Sequence, residues 1–214
     1  MFLSKLVLDP THYQVRRDLA NPYEMHRTLS RIYAETPESK PARFLWRLEF
    51  RGDRVAEEGA TVLLQSATAG CWTSLNGMPG YIRSLAADKP VPLDQLLDVG
   101  RHHVFRLACN PTVTRAGKRY GLAHEEGQLA WLARQGAQHG FAPMNVRIAR
   151  TERVSFRQGR ADQRITLQVA QFDGLLRVVD PERMRLALVQ GIGHSKAMGL
   201  GMLSVAPVMV RPAG

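Results

Sequence analysis

The chain has 214 residues, of which 44% are hydrophobic, enough to bury one large core or two small ones. Lys and Arg number 29 against 19 Asp and Glu, a formal charge of +10 at neutral pH. A field of that sign attracts a polyanion. No apolar run approaches the roughly 20 residues that span a bilayer, so a nucleic acid fits the charge better than a membrane does. Lys5 interrupts the short apolar start, which therefore does not read as a secretory signal. Cys71 and Cys109 form no CxxC pair and could make at most one bridge, so reduced thiols and a cytoplasmic location are expected.

In chain order, residues 2–8 read as a strand that ends at the turn pair Asp9-Pro10. Residues 11–20 are polar and carry Arg16 and Arg17. Asn21-Pro22-Tyr23-Glu24 then opens a helix, with Asn21 as cap, Pro22 first in the helix and Glu24 in the first turn. Met25, Leu29 and Ile32 share its core face. Tyr23, His26, Ser30 and Tyr33 fall on a neighbouring stripe, with Arg27 at its edge and Arg31 one turn beyond Arg27. Residues 44–50 and 61–66 read as strands joined by a charged loop, 52–59. Residues 67–98 read as mostly irregular, with weak helical stretches near Ser74 and Asp94, and 103–108 as a strand closing the first unit.

The same order restarts near Gly121. A helix is predicted over 125–138 with Leu129, Leu132 and Ala133 inward, then strands at 146–156 and 165–172, a turn at Asp173-Gly174 and an extended run at 175–179. Asp180-Pro181-Glu182 starts a last helix with Met184, Ala187 and Leu188 inward and Gly191 as its stop. A glycine-rich loop, GIGHSKAMGLG over 191–201, leads to a final short strand. The fold expected is α+β, two ferredoxin-like βαββαβ units in tandem. They are drawn at 1–110, carrying the helix with His26, and 111–214, carrying a basic hairpin and the glycine-rich loop.

That loop fits neither the P-loop nor the dinucleotide-binding spacing. Together with FLSKLVLDP, NPYEMHRTL, VLLQSA, the LxxNPTxT and GKR segment, and EGQLAWLAR, GIGHSKAMGLGMLSVAP resembles the repeat-RNA endoribonucleases of CRISPR systems. The resemblance extends to the CasE type of type I-E Cascade, in family order over most of the chain. His194 stands where that family usually has proline. The resemblance implies that His26 is catalytic with Tyr23 as its partner. Arg31 completes the expected catalytic set at a place where close relatives have lysine; arginine keeps the charge there but cannot give up a proton.

Histidine, with an ordinary pKa near 6.5, can serve either proton step of RNA cleavage through the 2′-hydroxyl, and arginine can supply charge at the phosphorane. Two basic segments are candidate RNA contacts: Arg153, Arg157, Arg160 and Arg164 around a turn at 158–163, and Arg115, Lys118 and Arg119 in TRAGKR. In the family, the first of these inserts at the base of an RNA stem-loop. Arg27 on the helix, and Ser195 and Lys196 in the loop, add further phosphate contacts. The seven histidines show no HxH or HExxH spacing, so neither a metal nor a small-molecule cofactor is expected. The three tryptophans read as core or partner contacts.

The function expected is a metal-independent endoribonuclease. It binds a CRISPR repeat hairpin, cuts on the 3′ side of the stem to leave a 2′,3′-cyclic phosphate and a 5′-hydroxyl, and stays on the mature guide RNA with other Cascade subunits. The alternative is a non-catalytic scaffold that binds an RNA hairpin. An acylphosphatase-like small-molecule enzyme on the same fold explains the charge poorly.

Overall fold

The computed structural model describes residues 1–36, 38–49, 59–159 and 163–208. It begins with β1 (Phe2–Leu8), α1 (Tyr13–Ala20), α2 (Pro22–Ser30), β2 (Phe44–Glu49), β3 (Ala60–Ser66) and β4 (Ile82–Pro90). These strands form one sheet in the order β2-β3-β1-β4, each neighbour antiparallel. Next come β5 (His102–Cys109), a small hairpin of β6 (Thr112–Arg115) and β7 (Lys118–Gly121), and α3 (Glu125–His139). The chain continues through β8 (Phe141–Gln158), β9 (Gln163–Val178), α4 (Pro181–Gln190) and β10 (Leu203–Pro207). The second sheet runs β10-β5-β9-β8. Numbered within each unit, both orders read 4-1-3-2, so the fold is tandem ferredoxin-like.

By contacts, the chain falls into two compact units. One holds Met1–Val91, Ser155–Thr166 and Ser195–Leu200; the other holds Pro92–Val154, Leu167–His194 and Gly201–Gly214. In the first, α2 lays Met25 and Leu29, with Ile32 just beyond, against Leu6, Leu8, Val62 and Leu64 of the sheet, all almost fully buried. Each such aliphatic side chain contributes about 1.5–3 kcal/mol. No helix among the described residues is long and apolar enough to cross a membrane.

Several expectations are corrected. The strand at His102–Cys109 does not close the first sheet: it pairs with β9 and β10 and is the first strand of the second. The first sheet is completed by β4, drawn from the stretch read as irregular. As an edge strand with most positions exposed and two register shifts against β1, β4 has no need of an apolar period. The helical stretches near Ser74 and Asp94 are single 3-10 turns, Trp72–Leu75 and Leu93–Gln95.

Residues 13–20, read as merely polar, form α1. Its inward positions are Val15 and a buried Asp18, which accepts hydrogen bonds from Arg17 and from the Tyr81 hydroxyl at 2.7 Å. On α3 the buried residues include Trp131 and Leu132, while Ala133 is exposed.

Asp173-Gly174 is no turn, because β9 runs straight through it. A Cβ on Gly174 would lie 2.8 Å from the Asn145 carbonyl oxygen, so the glycine marks a close approach of two strands. Asp173 instead takes the Arg106 guanidinium at 2.7 and 2.8 Å. The charged loop 52–59 lies, apart from Gly59, outside the described residues, as does Phe50.

Candidate functional site

The start of α2 forms as its sequence dictates. Asn21 accepts a hydrogen bond from the Tyr23 amide at 3.0 Å, Pro22 occupies the first turn, and Glu24 adds acid there. With Met25 and Leu29 committed to the core, His26 turns to the side. Its ring stacks on Phe44 at 5.0 Å between centroids, and Phe44 stacks on Tyr33 at 4.8 Å. Tyr33 is therefore buried beyond the end of the helix, and burial pushes its phenol up to about 12.

His26 Nδ1 is enclosed and makes no hydrogen bond among the described residues, which leaves Nε2 as the ring nitrogen open to a ligand. Burial lowers the imidazole below its ordinary value. His26 opens on a cleft of about 470 Å³ whose other lining includes Lys40, Arg43, Phe44, Lys196 and Ala197.

Lys196 reaches that cleft through the geometry of the glycine-rich loop. Ser195 adopts φ +63° and Gly199 φ +76°, bracketing a 3-10 turn, Lys196–Met198, that packs on α2 and β2. Trp46 Nε1 donates to the Ala197 carbonyl at 3.2 Å. Burial first, and the Arg43 charge second, lower the Lys196 ammonium below its ordinary value. An imidazole in one cleft with a partly buried lysine and the exposed cations Lys40 and Arg43 is an arrangement that can accept a proton beside a stabilised anion.

The other candidates lie as follows. Tyr23 is half-buried, with the Arg27 guanidinium 6.0 Å over its ring, and Arg27 also bonds Glu24 at 3.0 Å. Arg31 lies past the end of α2, exposed, 3.9 Å from Met78 Sδ. It lines a separate cleft of about 640 Å³ with Arg17, Arg27 and Ser30, a cleft whose lining does not include His26.

Arg153, Arg157 and Arg164 are exposed on β8 and β9, and Arg160 lies outside the described residues. The cap residue Asn21 also donates to the Arg157 carbonyl at 3.0 Å, which ties the basic hairpin to the start of α2. Arg115, Lys118 and Arg119 sit on the β6–β7 hairpin, where Arg115 faces Lys118. His194 is exposed. Among the described residues, no three His, Cys, Asp or Glu side chains group as a metal site would require. Sequence reasoning missed Lys40 and Arg43; their only signal was two cations flanking Pro41 just before a strand.

A family model described as CRISPR associated protein matches residues 1–207. The chain belongs to this CRISPR-associated family. Among its relatives, the CRISPR-associated endoribonuclease Cse3 of Thermus thermophilus is 39% identical, over 97% of this chain and 100% of that protein. The Cascade subunit CasE of Escherichia coli is 29% identical over the same shares. A structure of Cse3 bound to 19-nucleotide RNA superposes with a TM-score of 0.85 at 38% identity, covering 97% of this chain and 100% of that one. A second, of Thermus thermophilus Cse3 with an RNA representing a pre-cleavage complex, gives 0.80 at 38% identity over 96% and 98%. The chain is a CRISPR-associated protein of the CasE/Cse3 type, and its His26 cleft lies within the matched span.

Proposed function

We infer that the protein is a metal-independent endoribonuclease that binds a CRISPR repeat stem-loop, cuts it at the 3′ side of the stem and remains on the mature guide RNA as a Cascade subunit in the cytoplasm. The observation that carries this reading is the convergence of His26 with Lys40, Arg43 and Lys196 in one cleft, on a chain similar to endoribonucleases along its whole length. His26, kept neutral by burial, takes the proton of the 2′-hydroxyl at Nε2. The freed oxygen attacks the adjacent phosphorus, the bond to the 5′-oxygen breaks, and that oxygen leaves as a hydroxyl once protonated. The other product is a 2′,3′-cyclic phosphate.

Arg43 and Lys40 hold charge against the phosphorane. Lys196, whose ammonium gives up its proton more readily than usual, is the cleft residue suited to protonate the leaving oxygen. Tyr23, one turn before His26, orients the RNA at the entrance. Arg31, in the neighbouring cleft, contributes charge along the strand rather than at the reacting phosphate. The hairpin cations Arg153, Arg157, Arg160 and Arg164, with Arg27, Arg115, Lys118, Arg119 and Ser195, hold phosphates elsewhere on the stem-loop.

The test is single-turnover cleavage of the repeat RNA in EDTA. His26→Ala should slow it roughly 10²-fold or more with affinity nearly intact, the usual loss for one general acid or base. A 2′-deoxy substitution upstream of the scissile phosphate should abolish it. Cleavage of the deoxy substrate, or a His26→Ala protein that cuts at the parent rate, refutes the mechanism. Tight binding by the parent without any cutting leaves the non-catalytic scaffold as the function.

A further inference from the structure

The β6–β7 hairpin carries three cations, Arg115, Lys118 and Arg119, and no acid. Among the described residues, none of the three side chains has a hydrogen-bond or ion-pair partner, and all are exposed. The hairpin is nonetheless firmly built. Its two-residue turn places Ala116 at φ +47° and Gly117 at φ +72°, the left-handed pair whose twist matches the flanking strands. The Leu122 amide closes its base on the Pro111 carbonyl at 2.9 Å. Gly121 lies so near β9 that a Cβ there would meet Gln168 Cβ at 2.5 Å.

Register decides what this rigid hairpin presents. Lys118 and Tyr120 alternate onto one face of β7, and their partners across the ladder are Arg115 and Val113. One face therefore carries an aromatic ring opposite Val113, with the Arg115–Lys118 cation pair beside it on the turn side. The ring is half exposed, at 50%, on a segment where burial offers it nothing. A polyanion with flat bases satisfies all three groups together, since phosphates take Lys118 and Arg115 while a base stacks on Tyr120.

We propose that Tyr120, beside the Lys118 and Arg115 pair, is a stacking platform for an unpaired nucleotide of RNA. Within a paired stem every base face is already stacked, so the platform takes a single-stranded nucleotide next to the stem or in its loop. This rests on the reading of the protein as an RNA-binding nuclease, but the test does not use cleavage.

The experiment compares binding of an oligo(A) RNA of about 12 nucleotides with that of an abasic oligomer of the same length and backbone. The variants are Tyr120→Phe, Tyr120→Ala and the pair Arg115→Ala with Lys118→Ala. The parent and Tyr120→Phe should prefer the base-bearing oligomer by roughly tenfold, the scale of one stacked base. Tyr120→Ala should lose most of that preference while binding the abasic oligomer like the parent. The double variant should weaken both oligomers together and lower the salt slope. A Tyr120→Ala protein that keeps the full preference overturns the proposal. So does an equal loss on both oligomers, which would make Tyr120 a structural residue. If the preference depends on Tyr120 but the repeat RNA is never cut, the nuclease reading fails and the platform stands.

Discussion

Gly199 offers a direct test of how the glycine-rich loop is held. Its φ of +76° lies in the left-handed region, which costs an L-residue about 1–2 kcal/mol. A Cβ there would also stand 2.8 Å from Trp46 Cη2 and Cζ3, well inside contact distance. Trp46 cannot swing away freely, because it is buried and its indole N–H is bonded to the Ala197 carbonyl within the same turn. Overpacking of that kind costs about 1–3 kcal/mol more. Gly199→Ala should therefore destabilise the protein by about 2–5 kcal/mol, read by urea titration with tryptophan fluorescence.

Gly100→Ala is the matched control: φ there is +82°, but a Cβ would meet nothing within 4 Å, so only the backbone cost applies. If the two variants lose the same stability, the contact with Trp46 is not what fixes the loop. If it does fix the loop, Gly199→Ala should also slow RNA cleavage more than Gly100→Ala does, because Lys196 sits on the displaced turn.

Two further outcomes follow from charge. Burial lowers His26 from its ordinary 6.5, so between 6.5 and the folded value the unfolded chain binds the extra proton; this contribution to stability is complete above 6.5 and is lost as pH falls through the folded value. An NMR titration of the free protein should place the His26 midpoint below 6.5, and a midpoint at or above it contradicts the buried stack on Phe44. Arg157→Ala with Arg160→Ala should weaken stem-loop binding and flatten its salt dependence in filter binding, each lost phosphate contact reducing the slope by about 0.7–0.9. An unchanged affinity and slope would remove the basic hairpin from the interface.

What the sequence determined by itself is whatever a few neighbouring residues decide among themselves. Asn21, Pro22 and Glu24 start α2, and the spacing of Met25, Leu29 and Ile32 chooses its buried side, leaving His26 beside it. Asp180 and Pro181 do the same for α4, whose buried residues are the predicted Met184, Ala187 and Leu188. The excess of cations and the family motifs were equally legible, because they are properties of composition and order. Hidden from such reasoning were features without a local period: α1, whose inward face includes a carboxylate, and β4, an exposed edge.

Only the tertiary structure decided which strand closes which sheet, and which charges meet His26. Arg31 is five residues from His26 in sequence yet lines another cleft, whereas Lys196 is 170 positions away and lines the same one. The reason is physical. Helix caps and apolar periods act over one or two turns, but the cleft exists because Phe44 stacks on His26 and because Trp46 binds Ala197 across 151 residues. Those contacts form when sheet pairing and packing bring distant segments together, and no spacing within either segment encodes their meeting.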